Sequence, residues 1–330
     1  MNCKREMFFF EWVIFDNCNL NCSYCVNKGE FSQKPTSKMS YIAGLETDIA
    51  NKIVELSNNA ERVVVNLTGG DPLLADHFVE VLAILANAPN ITVNVITNLK
   101  RIDAVAEDII RIMPAITIGG SLHVQFRSAQ EIEQLIDFLN RYKSKLNISL
   151  SQVNHNLSFE NIKTVTRITE QTGLDVMYQT FIPPWTDAGK VENEQSIRDA
   201  NFVSSLGKRC CLGYSHFFLF PDGKFQYNLW CNDDTRKVGD FLRISPSNFD
   251  EFILNDMKRC PRTSCGCNYN VISYPEYSSA CNRLGYTANE VFGPDNLRQP
   301  ESNNKQTYSQ RFRLTLSKLL KKTRVSILCR

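Results

Sequence analysis

Cys18, Cys22 and Cys25 are spaced as CxxxCxxC within Asp16-Asn-Cys-Asn-Leu-Asn-Cys-Ser-Tyr-Cys-Val-Asn-Lys-Gly. Three thiolates on so short a loop can converge on one metal centre. Soft sulfur ligands select iron–sulfur clusters, zinc or copper(I). A structural zinc site takes four ligands, and no fourth Cys or His lies nearby in the chain. Three ligands on a four-iron cluster leave one iron open to a cofactor or substrate. Two plainer readings stand beside this one: a zinc knot, and three reduced thiols. A thiol oxidoreductase built on Cys22-x-x-Cys25 would leave Cys18 idle.

A second candidate lies forty-odd residues on. Arg62-Val-Val-Val-Asn-Leu runs as a strand into Thr68-Gly69-Gly70-Asp71-Pro72. Paired glycines let a backbone approach a ligand closely, although an ordinary strand-to-helix turn has the same composition. Polar residues also end the next strands: Thr97 and Asn98, then Ser121 and His123, then Ser151, Gln152 and Asn154. Each serves as well for a strand-end cap as for a ligand. His123 and Gln179 are placed to face a substrate, but a lone histidine is more often structural. No Ser-His-Asp or paired-carboxylate arrangement stands out.

The chain has 12 cysteines in 330 residues. Seven fall late: Cys210, Cys211, Cys231, Cys260, Cys265, Cys267 and Cys281. No signal-peptide pattern precedes them, because Glu11 and Asp16 interrupt the apolar run of Phe8, Phe9 and Phe10. A reducing, cytoplasmic compartment is therefore expected, where clustered cysteines bind metal more often than they pair. Charge is balanced, 37 Lys+Arg against 35 Asp+Glu, so no nucleic-acid partner is expected. No apolar run is long enough to cross a bilayer. From Ser302 onward there are eight Lys/Arg and no acid. This basic tail reads as a solvated helix or as a weak contact with an anionic membrane surface.

These residues need elements to position them. Apolar or β-branched runs at 8–15, 62–68, 91–97, 115–122, 147–153 and 174–181 predict six strands. Helix-periodic segments at roughly 41–57, 74–87, 102–112, 128–142 and 158–171 alternate with them. The class is α/β with parallel strands and crossover helices. An open six-stranded barrel and a doubly wound sheet both fit, and both collect function at the carboxyl ends of the strands. The pattern breaks near Pro183-Pro184-Trp185, which predicts a core domain over 1–183, a linker over 184–204, a small cysteine-rich domain over 205–285 and the basic tail over 286–330. Phe217–Phe220, Pro221-Asp222-Gly223 and Phe225–Tyr227 read as a hairpin. A loop-rich segment inside a cell needs a metal centre as its staple.

CxxxCxxC with Tyr24 before its last cysteine, followed by Gly69-Gly70-Asp71-Pro72, resembles the signature of the radical S-adenosylmethionine superfamily. The resemblance covers residues 8 to roughly 285. It implies a partial (β/α)6 barrel and a 4Fe-4S cluster held by Cys18, Cys22 and Cys25. S-Adenosylmethionine would chelate the fourth iron and be cleaved to a 5′-deoxyadenosyl radical that abstracts a substrate hydrogen. Tyr24, Gly69, Gly70, Asp71, Thr97, Asn98, Ser121 and Ser151 would then contact the cofactor. Asp71 stands where the family more usually has Glu, a reach shorter by one methylene.

The late cysteines resemble a SPASM or twitch extension, implying one auxiliary iron–sulfur cluster with ligands among Cys211, Cys231, Cys260, Cys265, Cys267 and Cys281. Structural zinc is the rival there. The implied partners are an electron donor such as flavodoxin or ferredoxin, and a peptide or small-molecule substrate. Peptide-modifying relatives often carry an added precursor-binding domain, for which no room is expected before the first strand, so a small molecule or a carrier-bound metabolite is a serious rival to a peptide. The reading from a different class is a non-catalytic zinc or iron–sulfur binding module.

Overall fold

The computed structural model describes residues 5–25, 41–180, 216–226 and 239–246. Six strands and five helices alternate through its main part. They are β1 (Arg5–Phe15), α1 (Leu45–Ser57), β2 (Ala60–Gly69), α2 (Phe78–Ala86), β3 (Ile91–Thr97), α3 (Ala106–Ile112), β4 (Thr117–Ser121), α4 (Ala129–Tyr142), β5 (Asn147–Asn154), α5 (Phe159–Thr172) and β6 (Val176–Thr180). Three short strands follow: β7 (His216–Leu219), β8 (Lys224–Gln226) and β9 (Gly239–Asp240).

The strands form one sheet in the order β6-β5-β4-β3-β2-β1-β7-β8-β9. Strands β1 to β6 are parallel and lie in sequence order. A doubly wound sheet reverses direction at a switch point and puts helices on both faces. Here no reversal occurs within β1 to β6, so right-handed crossovers place every helix on the same face. That decides between the two architectures in favour of the partial barrel.

The strand alternation follows. Phe8, Phe10, Trp12 and Ile14 of β1 join Val63, Val65 and Leu67 of β2 in the large core beneath the helices. Phe9, Glu11 and Val13 take the opposite, concave side. Helix ends are chosen locally. Ser128 and Glu131 form a capping box on α4, and Ser158 and Asn161 form one on α5. Gly173, with φ 71°, stops α5.

Two predicted helices are interrupted. The segment read as 74–87 is a 3-10 turn, Pro72–Leu74, before α2. The segment read as 102–112 is a 3-10 turn, Ile102–Ala104, before α3. Periodicity in the apolar residues continues across both breaks, so the pattern alone joins the pieces.

The Phe217–Phe220 hairpin exists, with β7 and β8 antiparallel and Gly223 at φ 75° in its turn. Its place differs from the expected boundary at 205. Strand β7 pairs in parallel with β1, and Phe217, Leu219, Phe225, Phe241 and Ile244 belong to the main core. Phe217 stacks on Phe10 with ring centroids 5.5 Å apart. This part of the chain therefore extends the barrel sheet and shares its core. The remainder of the predicted small domain, the linker and the basic tail lie outside the described residues.

Candidate functional site

The cysteine loop leaves the carboxyl end of β1, and backbone contacts fix its path. Gly70 N–H donates to Phe15 O at 2.8 Å, and Asp71 N–H donates to Asn17 O at 2.9 Å. The glycines are there because the two backbones nearly touch. A Cβ on Gly70 would lie 2.0 Å from Asn17 O, and one on Gly69 would lie 2.1 Å from Phe15 O. Gly69 also has φ +139°, which other residues rarely adopt. The close approach read from Gly69-Gly70 is thus an approach to the cysteine loop itself.

Asp71 is fully buried. Its carboxylate accepts from Leu73 N–H at 3.0 Å and Asn98 N–H at 2.9 Å, and Thr97 Oγ1–H lies 3.0 and 2.9 Å from its two oxygens. Burial raises its pKa, while these donors and the nearby Arg127 oppose the rise. The side chain caps the Pro72–Leu74 turn and ties the end of β2 to the end of β3. Asp71 and Thr97 therefore build the site from beneath, with their polar atoms already used.

Asn98 continues the tie into the loop. Its Nδ2 donates to Asn19 Oδ1 at 2.7 Å and to Cys18 Sγ at 3.4 Å. Leu20 N–H also donates to Cys18 Sγ at 3.4 Å. Arg127, which carries no spacing signal in the sequence, anchors this layer. Its Nε donates to Leu122 O at 2.6 Å and its Nη2 donates to Asn98 O.

Tyr24 makes the third tie. Its hydroxyl lies 2.6 Å from His123 Nδ1, and Gln125 Nε2 donates to that hydroxyl at 3.4 Å. The Tyr24 hydroxyl also hydrogen-bonds the Cys22 side chain, so it links the cysteine loop to His123 and Gln125 together. Burial, helped by Arg127, lowers the His123 pKa to about 4, so the ring is neutral at pH 7. Gln125 Oε1 in turn accepts from the buried Gln152 at 3.0 Å. His123 holds φ 46° and ψ 46°, a left-handed conformation uncommon among non-glycine residues. Phe126 and His155 complete an aromatic ring of neighbours around Tyr24, at 5.6 Å each.

The outcome is a small apolar cluster separate from the main core. Leu20, Cys22 and Tyr24 are buried in it, with Cys18, Cys25, Phe126 and Val153 packed against them. The three cysteines are free thiols. Burial, then Cys25, then Cys18, push the Cys22 pKa up to about 12. Three neighbouring sulfurs can all carry charge only when a cationic group lies among them. Among the described residues no three His, Cys, Asp or Glu side chains are gathered in a single-ion arrangement. Sulfur donors, an apolar surround and N–H groups aimed at Cys18 Sγ suit an iron–sulfur cluster.

Ser121, the last residue of β4, and Ser151, midway along β5, are register partners, and both are half-buried. They lie on the concave side, opposite the core residues Ile118 and Leu150. The structure thus brings Cys18, Cys22, Tyr24, Cys25, Gly69, Gly70, Asp71, Thr97, Asn98, Ser121, His123 and Ser151 to one end of the sheet. The side chain of Gln179 and all of Cys211, Cys231, Cys260, Cys265, Cys267 and Cys281 lie outside the described residues. Among the described residues no helix is long and apolar enough to cross a membrane.

Comparison with known proteins agrees with this geometry. Residues 12–124 match the profile of the Radical SAM superfamily. A GTP 3′,8-cyclase of Shewanella denitrificans is 32% identical over 98 residues, 29% of this chain and 27% of that protein. A 7-carboxy-7-deazaguanine synthase of Clostridium acetobutylicum is 34% identical over 87 residues, 26% of this chain and 36% of that one. The chain therefore spans well under half the length of these curated relatives. Among solved structures, Streptococcus suis SuiB bound to S-adenosylmethionine has a TM-score of 0.52 at 11% identity, covering 76% of this chain and 67% of that one. Native anSMEcpe with bound AdoMet has a TM-score of 0.52 at 14% identity, covering 75% and 83%. These two share the fold. Residues 12–124 thus carry the sequence match to the Radical SAM superfamily, and the solved structures carry the likeness in fold.

Proposed function

We infer that the chain holds a 4Fe-4S cluster on Cys18, Cys22 and Cys25 and uses it to cleave S-adenosylmethionine reductively. The observation that carries this reading is the cysteine loop clamped onto Gly70 and Asp71 at the carboxyl end of β1. Bound there, the cluster supplies the electron that splits the sulfonium and yields a radical able to take hydrogen from a substrate.

The protein's own part is positioning. Asp71 and Thr97 hold the ends of β2 and β3 together, and Asn98 and Tyr24 fix the loop above them. Ser121 and Ser151 offer hydroxyls on the concave side to the ribose and carboxylate of the cofactor. The Gly69-Gly70 backbone and the backbone around Tyr24 are the remaining contacts we assign to it. The apolar cluster shields Cys22 from water, while Cys18 and Cys25 stay partly exposed at its edge. The late cysteines are assigned to one auxiliary SPASM- or twitch-like cluster. An electron donor of the flavodoxin or ferredoxin kind follows from the need for one electron.

Two of the curated relatives are named for guanine-related compounds, GTP and 7-carboxy-7-deazaguanine. That favours a small polar substrate over a peptide. The test is anaerobic reconstitution with iron and sulfide, then incubation with S-adenosylmethionine and dithionite. 5′-Deoxyadenosine formed by the wild type and abolished in Cys22→Ala is the expected result. A well-formed cluster that releases none, with or without added GTP, would count against the reading.

A further inference from the structure

The side chain of Asn98 has a fixed orientation, and that fixes what it does to Cys18. Its Oδ1 accepts from Lys100 N–H at 2.9 Å, so the oxygen and nitrogen of the amide are distinguished by their partners. Its backbone is held as well. The N–H is taken by Asp71 at 2.9 Å and the carbonyl by Arg127. The next residue, Leu99, sits at φ 65° with its N–H on Thr97 Oγ1 at 3.1 Å, which closes a tight turn around Asn98. The residue is 5% exposed. One amide hydrogen goes to Asn19 Oδ1 at 2.7 Å, leaving the second for Cys18 Sγ at 3.4 Å.

We propose that Asn98 is a positioning residue whose amide N–H sets the reduction potential of the cluster held by Cys18. The proposal rests on the assignment of a 4Fe-4S cluster to Cys18, Cys22 and Cys25. Reduction adds negative charge that the thiolate sulfurs share. A preorganised donor in a buried setting stabilises the reduced form more than the oxidised one, which raises the potential. Leu20 N–H, the other donor to this sulfur among the described residues, is a backbone group on the loop and moves with it. Asn98 is the donor that comes from the barrel, so it also couples the cysteine loop to the Asp71 layer.

The experiment is potentiometric titration of the reconstituted full chain, followed by electron paramagnetic resonance. Asn98→Ser removes the donor and keeps a hydroxyl within reach of Lys100 N–H. Asn19→Ala removes the neighbouring partner and leaves the bond to sulfur. The expected result is that Asn98→Ser lowers the reduced-to-oxidised ratio of this cluster about tenfold at a given solution potential. That is about 59 mV for one electron, with Asn19→Ala much closer to wild type. Equal potentials in wild type and Asn98→Ser would overturn the proposal.

A wild-type measurement guards against a variant that does not fold. Protein labelled with 15N only in asparagine side-chain amides should show one weak 15N coupling to the reduced cluster. Absence of that coupling would also overturn the proposal. Iron and sulfide content separate the two levels of inference. A wild type that binds iron as a four-iron cluster yet shows neither effect refutes the role of Asn98 alone. A wild type that binds only zinc removes the cluster assignment and this proposal with it.

Discussion

Replacing Gly70 with Ala should separate the cysteine loop from β2. The added Cβ would lie 2.0 Å from Asn17 O, 2.2 Å from Asn17 C and 2.9 Å from Asn17 N. All three are backbone atoms, so no rotamer change relieves the clash. One strand end must move by more than an ångström to restore ordinary contact. That movement strains or breaks Gly70 N–H to Phe15 O and Asp71 N–H to Asn17 O. Overpacking costs about 1–3 kcal/mol, and each buried donor left unsatisfied costs about 1–3 kcal/mol more. A loss on the order of 3 kcal/mol or greater is expected. Gly119 is the internal comparison. A Cβ there meets Val95 O at 3.6 Å and Ile96 at 3.7 Å, which is ordinary contact. Gly119→Ala should be neutral or stabilising by about 0.4–1 kcal/mol through the unfolded chain. Urea unfolding of both variants, with iron content after reconstitution, is the assay. Equal stability and equal iron loading for Gly70→Ala and wild type would refute the clamp.

Other outcomes follow from single contacts. Thr97→Val should cost about 1–3 kcal/mol, read by urea unfolding, because Asp71 loses a donor and Leu99 N–H loses its acceptor. Tyr24→Phe should lower iron loading and cost about 1 kcal/mol, because the loop loses its bond to His123. Glu11 is raised from 4.5 to about 7 by burial on the concave side of β1. The folded state therefore binds a proton that the unfolded state has released, and stability falls as pH rises from about 4.5 through about 7. Glu11→Gln should flatten that slope and gain at most about 3 kcal/mol at pH 8, measured by urea unfolding across pH.

The strands and helices of the barrel were legible because each carries its own period. The core-facing residues of β1 alternate with Phe9, Glu11 and Val13, and α4 repeats its apolar residues at helical spacing. The hairpin at 216–226 was legible from its Pro-Asp-Gly turn, but its partner was not. A parallel pairing between β1 and β7 joins residues some two hundred apart and leaves no local trace. The cysteine loop and Gly69-Gly70 could be placed on strand ends from order alone. The reason for the glycines could not, because the Phe15 and Asn17 carbonyls they meet belong to the end of β1 and the loop after it. Asp71, Thr97 and Asn98 were read as cofactor contacts from position. Their bonds to one another, and the role of Arg127 beneath them, depend on three strand ends meeting in space.

The most direct test of the central claim is whether one iron of the cluster on Cys18, Cys22 and Cys25 is open to S-adenosylmethionine. Electron paramagnetic resonance of the dithionite-reduced protein, with and without S-adenosylmethionine, reads this. The spectrum of a variant lacking these three cysteines is subtracted to remove any auxiliary cluster. A difference signal in the wild type that changes on adding S-adenosylmethionine is the predicted result. A difference signal unmoved by S-adenosylmethionine, or no difference signal and stoichiometric zinc, would contradict the account.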